Sequence, residues 1–82
     1  MSKHHSQTVR SLRQAASALR TRRKSRNLTQ KQLSELTGTA QSTISDIETG
    51  IVSVSLDVYL RLLEALGAEL QVTDRRNDTD LS

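Results

Sequence analysis

The sequence contains no cysteine and no proline, and Tyr59 is its only aromatic residue. Without cysteine, the chain has no disulfides, no thiolate nucleophile and no thiolate metal ligands. With one aromatic side chain among 82 residues, the core is expected to consist of Leu, Ile, Val and Ala. A core of this size is marginally stable by itself, and association into dimers is a common remedy for small domains.

Long apolar runs are absent as well. No stretch approaches the roughly 20 apolar residues that a membrane span needs, and the first residues lack the apolar stretch of a secretory signal. Together with the lack of cysteine, these absences predict a cytoplasmic protein.

The pattern of reactive side chains does not indicate an enzyme. The sequence has no glycine-rich phosphate loop and no nucleophile paired with a base. Asp46 and Glu48 are two residues apart on a predicted helix, so their side chains point in different directions. His4 and His5 are adjacent in the N-terminal segment, where a metal role is not expected. We therefore expect no catalytic residues, no cofactor and no metal site.

Charge is distributed very unevenly along the chain. Residues 1–31 hold nine of the twelve Lys and Arg residues and no acid, whereas residues 32–82 hold three basic and nine acidic residues, a balance of −6. This asymmetry suggests a polyanionic partner for the basic part and a basic protein partner for the acidic part. A solvated basic face followed by an acidic tail would give the same pattern.

Apolar periodicity divides the chain into four helical segments. The first helix is predicted from Thr8 to about Arg26, with four apolar residues spaced three, four and three apart: Val9, Leu12, Ala16 and Leu19. Arg23 falls next on this stripe and needs a partner. Residues 1–7 show no periodicity and are expected to be loose.

The second and third helices are joined by a short glycine-containing turn. Thr29 is the predicted N-cap of the second helix, and Gln32 completes a capping box. Gly38 ends this helix and Gly50 ends the third, since both positions suit a left-handed residue. The inward positions of the two helices are Leu33, Leu36, Ile44 and Ile47.

The fourth helix is predicted between a Ser55 N-cap and Gly67. Its inward residues are Val58, Leu62, Leu63 and Leu66. Residues 68–75 then alternate between apolar and polar, which indicates a half-buried strand. The alternative is a frayed tail, because residues 76–82 have a disordered composition. The predicted domain therefore spans residues 8–67, followed by a strand over 68–75 and a disordered tail over 76–82.

Two short helices joined by a turn of this length form a helix-turn-helix unit. One face of the third helix is polar and slim, at the positions Gln41, Ser42, Ser45, Asp46 and Thr49. A helix enters the DNA major groove when its leading face is slim and carries donors and acceptors, and Gln, Ser and Asp can each pair with base edges. A polar face by itself is common on surface helices. The turn, the capping box and the basic first helix favour base reading.

The segments LTQKQLSELTG and STISDIETG resemble the Cro/C1-type, or XRE, family of helix-turn-helix DNA-binding proteins, over about residues 9–67. The resemblance implies an all-α, lambda-repressor-like domain of four to five helices. It also implies that Gln30 binds a backbone phosphate and steadies Gln41. Arg23 and Glu48 occupy positions at which the family often forms an ion pair.

These considerations give two sets of DNA contacts. The predicted base-reading residues are Gln41, Ser42, Ser45 and Asp46. The predicted phosphate contacts are Gln30, Thr39, Thr43, Thr49, Arg20, Arg22, Lys24, Arg26 and Lys31. Phosphate contacts position a protein on the duplex, and base contacts specify the sequence.

A single strand in a helical protein has no internal partner, and an unpaired edge is a liability. Pairing with the same strand of a second copy about a twofold axis would give this edge a hydrogen-bonded partner. Leu70 and Val72 are then predicted to form the apolar contact between the two copies. The segment LLEALGAELQVTD resembles the HipB-like antitoxin branch of the family. That resemblance implies a homodimeric repressor that binds palindromic operators in its own promoter and neutralises a HipA-like serine/threonine kinase toxin. The alternatives are a stand-alone repressor without a toxin and an adaptor that docks another protein.

Overall fold

The computed structural model of the chain describes residues 6–75. The predicted tail over 76–82 and most of the predicted loose segment over 1–7, including His4 and His5, lie outside the described residues. The described part contains four helices: α1 (Leu12–Ser25), α2 (Gln30–Thr37), α3 (Gln41–Thr49) and α4 (Leu56–Ala65). This confirms the all-α prediction, and none of these helices is long and apolar enough to cross a membrane.

The first helix begins later than its apolar spacing predicts. Ser11 is its N-cap, and the Ser11 hydroxyl accepts a hydrogen bond from the backbone N–H of Gln14 at 3.1 Å. The Gln14 side chain in turn accepts a hydrogen bond from the backbone N–H of Arg10. Because this capping arrangement fixes the start of α1, Val9 lies outside the helix and is exposed.

Both ends of α2, and the turn that leads from it to α3, have the predicted form. The Thr29 hydroxyl accepts from Gln32 N at 3.0 Å, and the Gln32 side chain accepts from Thr29 N at 2.8 Å, which completes the capping box. Gly38 has φ = +74° and ends α2 in the left-handed conformation. Only Thr39 and Ala40 then precede α3.

The core lies between the inner faces of the four helices. Four side chains are completely buried: Leu19, Leu33, Ile44 and Leu62. The prediction for Leu36 is wrong, since 63% of this residue is exposed. Three residues along a helix place Leu36 about 60° around the axis from Leu33, and the eight-residue α2 buries only Leu33.

The expectation of a purely aliphatic core is also wrong. Tyr59 is only 5% exposed and belongs to the core cluster. Its hydroxyl donates to the backbone oxygen of Ala15 at 2.8 Å, so its polar end is satisfied while its ring is buried. This contact joins α4 to α1.

Residues 68–75 form no strand within the described single chain. Leu70 is 41% exposed and Val72 is fully exposed. α4 also exposes Leu56 and Leu60, which are four residues apart and therefore on one side of the helix. Because the predicted strand pairs only with a second copy, its pairing stays a prediction.

Replacement of Gly38 or Gly50, the glycines that end α2 and α3, should destabilise the domain, and the loss should be larger at Gly50. Gly38→Ala should cost about 1–2 kcal/mol, because only the left-handed backbone is affected and no atom lies near the added Cβ. Gly50→Ala should cost more, because its Cβ would also lie 3.2 Å from the Cα of Arg13. Urea denaturation of both variants measures the difference. A smaller loss for Gly50→Ala than for Gly38→Ala would contradict this account.

Candidate nucleic-acid interface

The third helix presents a polar face to solvent. Ile44 and Ile47 are buried on its inner side, whereas the outer side carries Gln41, Ser42, Thr43, Asp46 and Thr49, all exposed, and the half-buried Ser45. The N-cap position is Ala40, so no side chain covers the first backbone N–H groups of the helix. The resulting surface is narrow and rich in donors and acceptors.

Glu48 attaches α3 to both preceding helices. The Arg23 guanidinium of α1 donates to the two Glu48 carboxylate oxygens, at 2.7 Å from Nε and 2.9 Å from Nη2. Gln30, the first residue of α2, donates from Nε2 to Glu48 Oε1 at 3.0 Å. Arg23 Nη1 also donates to the Leu28 backbone oxygen at 2.7 Å. The predicted partner of Arg23 is therefore in contact with it.

This ion pair is shielded from solvent, since the side chains of Arg23 and Glu48 are only 9% and 3% exposed. Burial by itself would raise the pKa of the Glu48 carboxyl. The hydrogen bonds from Arg23 and Gln30, with the positive charges of Arg23 and Arg20, outweigh that effect and hold the pKa below its ordinary value. Glu48 is therefore an anion at neutral pH, and both of its carboxylate oxygens accept hydrogen bonds from protein donors.

Among the described residues of the free chain, Gln30 donates to Glu48 and no hydrogen bond joins it to Gln41. A carboxylate only accepts hydrogen bonds, so the Gln30 amide nitrogen must face Glu48. One N–H and the amide oxygen of Gln30 remain for other partners. The bond to Glu48 fixes which end of the Gln30 amide points away from the protein, a role that the sequence does not reveal.

The basic residues of α1 lie on two separate faces. Arg13, Arg20 and Lys24 line a cleft of about 230 Å³ between α1 and α3, together with Ser17, Thr21 and Thr49. We refer to it as the α1–α3 cleft. Arg22 and Arg26 instead line a wider cleft bounded by α4 and residues 66–75.

The predicted phosphate contacts in this region therefore divide between two sides of the molecule. Arg22 and the C-cap residue Arg26 lie away from the α1–α3 cleft, because positions two residues apart on a helix point in different directions. Arg13, Ser17 and Thr21 line the α1–α3 cleft as well, although the sequence analysis did not single them out. Helical spacing is the signal that could have found these residues. Arg13, Arg20 and Lys24 are separated by seven and four residues and share one face of α1, and Ser17 and Thr21 lie on that face as well.

The four candidate phosphate-binding hydroxyls and amines beyond α1 also differ in their access. Lys31 and Thr43 are exposed. Thr49 is exposed, and its hydroxyl donates to the Asp46 backbone oxygen at 2.6 Å. Thr39 is only 8% exposed and its hydroxyl is buried without a hydrogen-bond partner. The Thr39 hydroxyl is therefore shielded from solvent in the free chain, and its contact with a phosphate stays a prediction.

Loss of the Glu48 carboxylate should unfold the domain or nearly so. Glu48→Ala leaves the Arg23 guanidinium buried without its partner, and such a change costs about 3–5 kcal/mol. Thermal unfolding followed by circular dichroism measures the loss. Asp57→Ala is the matched control, because Asp57 forms an exposed ion pair with Arg61 and should cost at most about 1 kcal/mol. Equal melting temperatures for wild type and Glu48→Ala would refute this role.

Comparison with known proteins agrees with this geometry. Solved structures that are similar to the chain include three HipB complexes, each of which is aligned over 100% of the solved chain. A HipB variant bound to an O2 20mer has a TM-score of 0.79 at 26% identity and covers 88% of this chain. A HipB–O4 20mer complex and a HipA–HipB–O2–O3 complex each have a TM-score of 0.78 at 27% identity over 87% of it.

No curated protein sequence matches the chain. The helix-turn-helix family model HTH_3 matches residues 19–72, which is more than half of the sequence. The match includes α2, the turn and α3, together with the Arg23 and Glu48 positions. The chain belongs to the HTH_3 helix-turn-helix family.

Proposed function

We propose that this protein is a dimeric, sequence-specific DNA-binding repressor of the HipB-like antitoxin type. The observation that carries the proposal is the exposed polar face of α3, held outward by the buried contacts of Glu48. Gln41, Ser42, Ser45 and Asp46 would read base edges in the major groove, where amide, hydroxyl and carboxylate groups have complementary partners.

The proposed phosphate contacts come from α1, α2 and α3, the three helices that Glu48 connects. They are Gln30, Thr43, Thr49, Arg20, Lys24 and Lys31. The second N–H of the Gln30 amide is available to a phosphate because Glu48 accepts the first. The exposed cations Lys24 and Lys31 come from α1 and α2, the two helices that Glu48 connects to α3, and would hold the phosphate backbone while α3 enters the groove.

A dimer is supported by the exposed apolar residues near the C-terminus. Leu56 and Leu60 of α4 and Leu70 and Val72 of the following segment are at least 41% exposed within the described chain. Antiparallel pairing of residues 68–75 from two copies would provide hydrogen-bond partners and bury these side chains. The twofold axis would place two α3 helices roughly 34 Å apart, as a palindromic operator requires.

The toxin partner is supported by likeness to HipB, which the HipA–HipB–O2–O3 complex contains together with HipA. The acidic balance of residues 32–82 suits a second, basic protein surface. We propose that the protein acts in the cytoplasm as a non-enzymatic regulator of its own operon. A stand-alone repressor is the alternative, and a HipA-like kinase reading frame beside this gene would distinguish the two.

Binding to DNA should depend steeply on salt. If each subunit of the dimer engages three phosphates, the logarithm of the association constant should fall with the logarithm of salt concentration at a slope of about −5. Fluorescence anisotropy with a duplex selected from a random pool measures this slope. A protein adaptor would select no palindrome and would show weak, sequence-independent binding, and that result would overturn the proposed function.

Gln41 should contribute to specificity and Lys24 to general affinity. Gln41→Ala should cost about 1–3 kcal/mol at one base pair and relax selectivity there. Lys24→Ala should weaken selected and random duplexes alike, because a phosphate contact carries no sequence information. Competition binding against single-base operator variants measures both effects. Equal losses on operator and random DNA for Gln41→Ala would remove Gln41 from the base-reading set.

The dimer should depend on the apolar side chains of the C-terminal segment. Val72→Asp should shift the protein toward monomers and reduce operator affinity, because a carboxylate would replace an apolar contact at the seam. Thr73→Asp is the matched control, since the neighbouring residue of a strand faces the opposite side. Sedimentation velocity measures the oligomeric state. A monomeric wild type, or a Val72→Asp variant as dimeric as Thr73→Asp, would reject this interface.

A further inference from the structure

The proposed phosphate contacts include Arg20 and Lys24 of the α1–α3 cleft but not Arg13, the third cation that lines it. Three cationic side chains line it, Arg13, Arg20 and Lys24, and among the described residues none of the three forms an ion pair. The nearby Glu48 carboxylate is neutralised by Arg23. The cleft is therefore strongly electropositive, with its cations in reach of solvent.

Hydroxyl groups complete the lining of the cleft. Ser17 and Thr21 follow Arg13 by four and eight residues and lie on the same face of α1, and both are exposed. Neither hydroxyl has a hydrogen-bond partner in the described part of the chain. Phosphate oxygens accept hydrogen bonds from Arg, Lys, Ser and Thr, so this set of donors suits a phosphodiester.

The position of the cleft relative to α3 is fixed by close packing. A Cβ at Gly50 would lie 3.2 Å from Arg13 Cα and 3.4 Å from Ala16 Cβ, so the end of α3 contacts the first turns of α1 directly. Thr49 belongs both to the cleft and to the polar face of α3. An anion in the cleft would therefore lie beside the edge of the base-reading face.

We infer that the α1–α3 cleft binds a backbone phosphate of the DNA, with Arg13 as its outermost cation and Ser17 and Thr21 as hydroxyl donors. This inference rests on the proposed function and adds a phosphate site to it. The cleft holds one flanking phosphate of the operator strand next to Thr49 while α3 occupies the major groove. Arg22 and Arg26, on the other face of α1, take no part.

The test compares three full-length variants with the wild type on one selected duplex. Arg20 and Lys24 already belong to the proposed phosphate contacts, so Arg13→Gln removes only the cation that the cleft adds in each subunit. The slope should become shallower by about 0.9 per subunit, and the loss of affinity between 50 and 200 mM salt should be about tenfold smaller than for wild type. Arg13→Lys keeps the charge and should retain most of the wild-type slope. Arg61→Gln is the matched control on α4, where Arg61 is exposed and pairs with Asp57 alone among residues 6–75, and its slope should equal that of wild type.

The possible outcomes distinguish a failure of the cleft assignment from a failure of the proposed function. A wild type that binds no duplex selectively defeats both. A wild type that binds steeply, with Arg13→Gln and Arg61→Gln giving the same slope, defeats only the cleft. Circular dichroism melts of the variants verify that each is folded, and Arg13→Gln should match wild type because Arg13 is exposed.

A titration with inorganic phosphate distinguishes the source of the anion. Heteronuclear NMR shifts of Ser17 and Thr21 amides should move with the duplex and stay unchanged with inorganic phosphate at millimolar concentration. Saturation by inorganic phosphate in that range would identify a site for a free anion and overturn the assignment to DNA. Shifts that appear with an acidic peptide and not with the duplex would do the same.

Discussion

A buried carboxylate connects the three helices on which the surface of this domain depends. Glu48 accepts hydrogen bonds from Arg23 of α1 and Gln30 of α2, and it is itself the penultimate residue of α3. A buried ion pair of this kind contributes little net stability relative to apolar residues of the same size, yet removal of one partner is costly. Its effect is to permit one arrangement of the helices, in which the polar face of α3 points outward and the Gln30 amide has a defined orientation.

The same arrangement divides the basic residues of α1 between two environments. Arg20 and Lys24 lie beside α3, whereas Arg22 and Arg26 face α4 and the C-terminal segment. The net charge of +3 describes neither face. Exposed charges more than about 10 Å apart are screened at 0.1 M salt. A partner therefore interacts with the local set of cations, and only one of the two sets borders α3.

Local sequence signals predicted most of the fold, and the errors share a cause. The capping box at Thr29, the left-handed Gly38 and Gly50 and the inward Ile44 and Ile47 depend on neighbouring residues, so they were found correctly. Leu36 and Val9 fit a helical spacing and are nevertheless exposed. Spacing does not show where a helix starts, which decides Val9, or how many of its residues pack against the core, which decides Leu36. Tyr59 can be buried in the core since the Ala15 carbonyl, 44 residues away, accepts a hydrogen bond from its hydroxyl.

The sequence by itself determined the helix-turn-helix unit and the polar stripe of α3, since periodicity and capping depend on neighbouring residues. The pairing of Arg23 with Glu48, 25 residues apart, was implied by the family resemblance. Only the tertiary structure decided that Gln30 also binds Glu48, that Thr39 is buried and that Arg13, Ser17 and Thr21 share a cleft with Thr49. These contacts join residues on different helices, and their geometry follows from how the helices pack around the core. Helical spacing places a side chain on a face, but packing determines what that face meets.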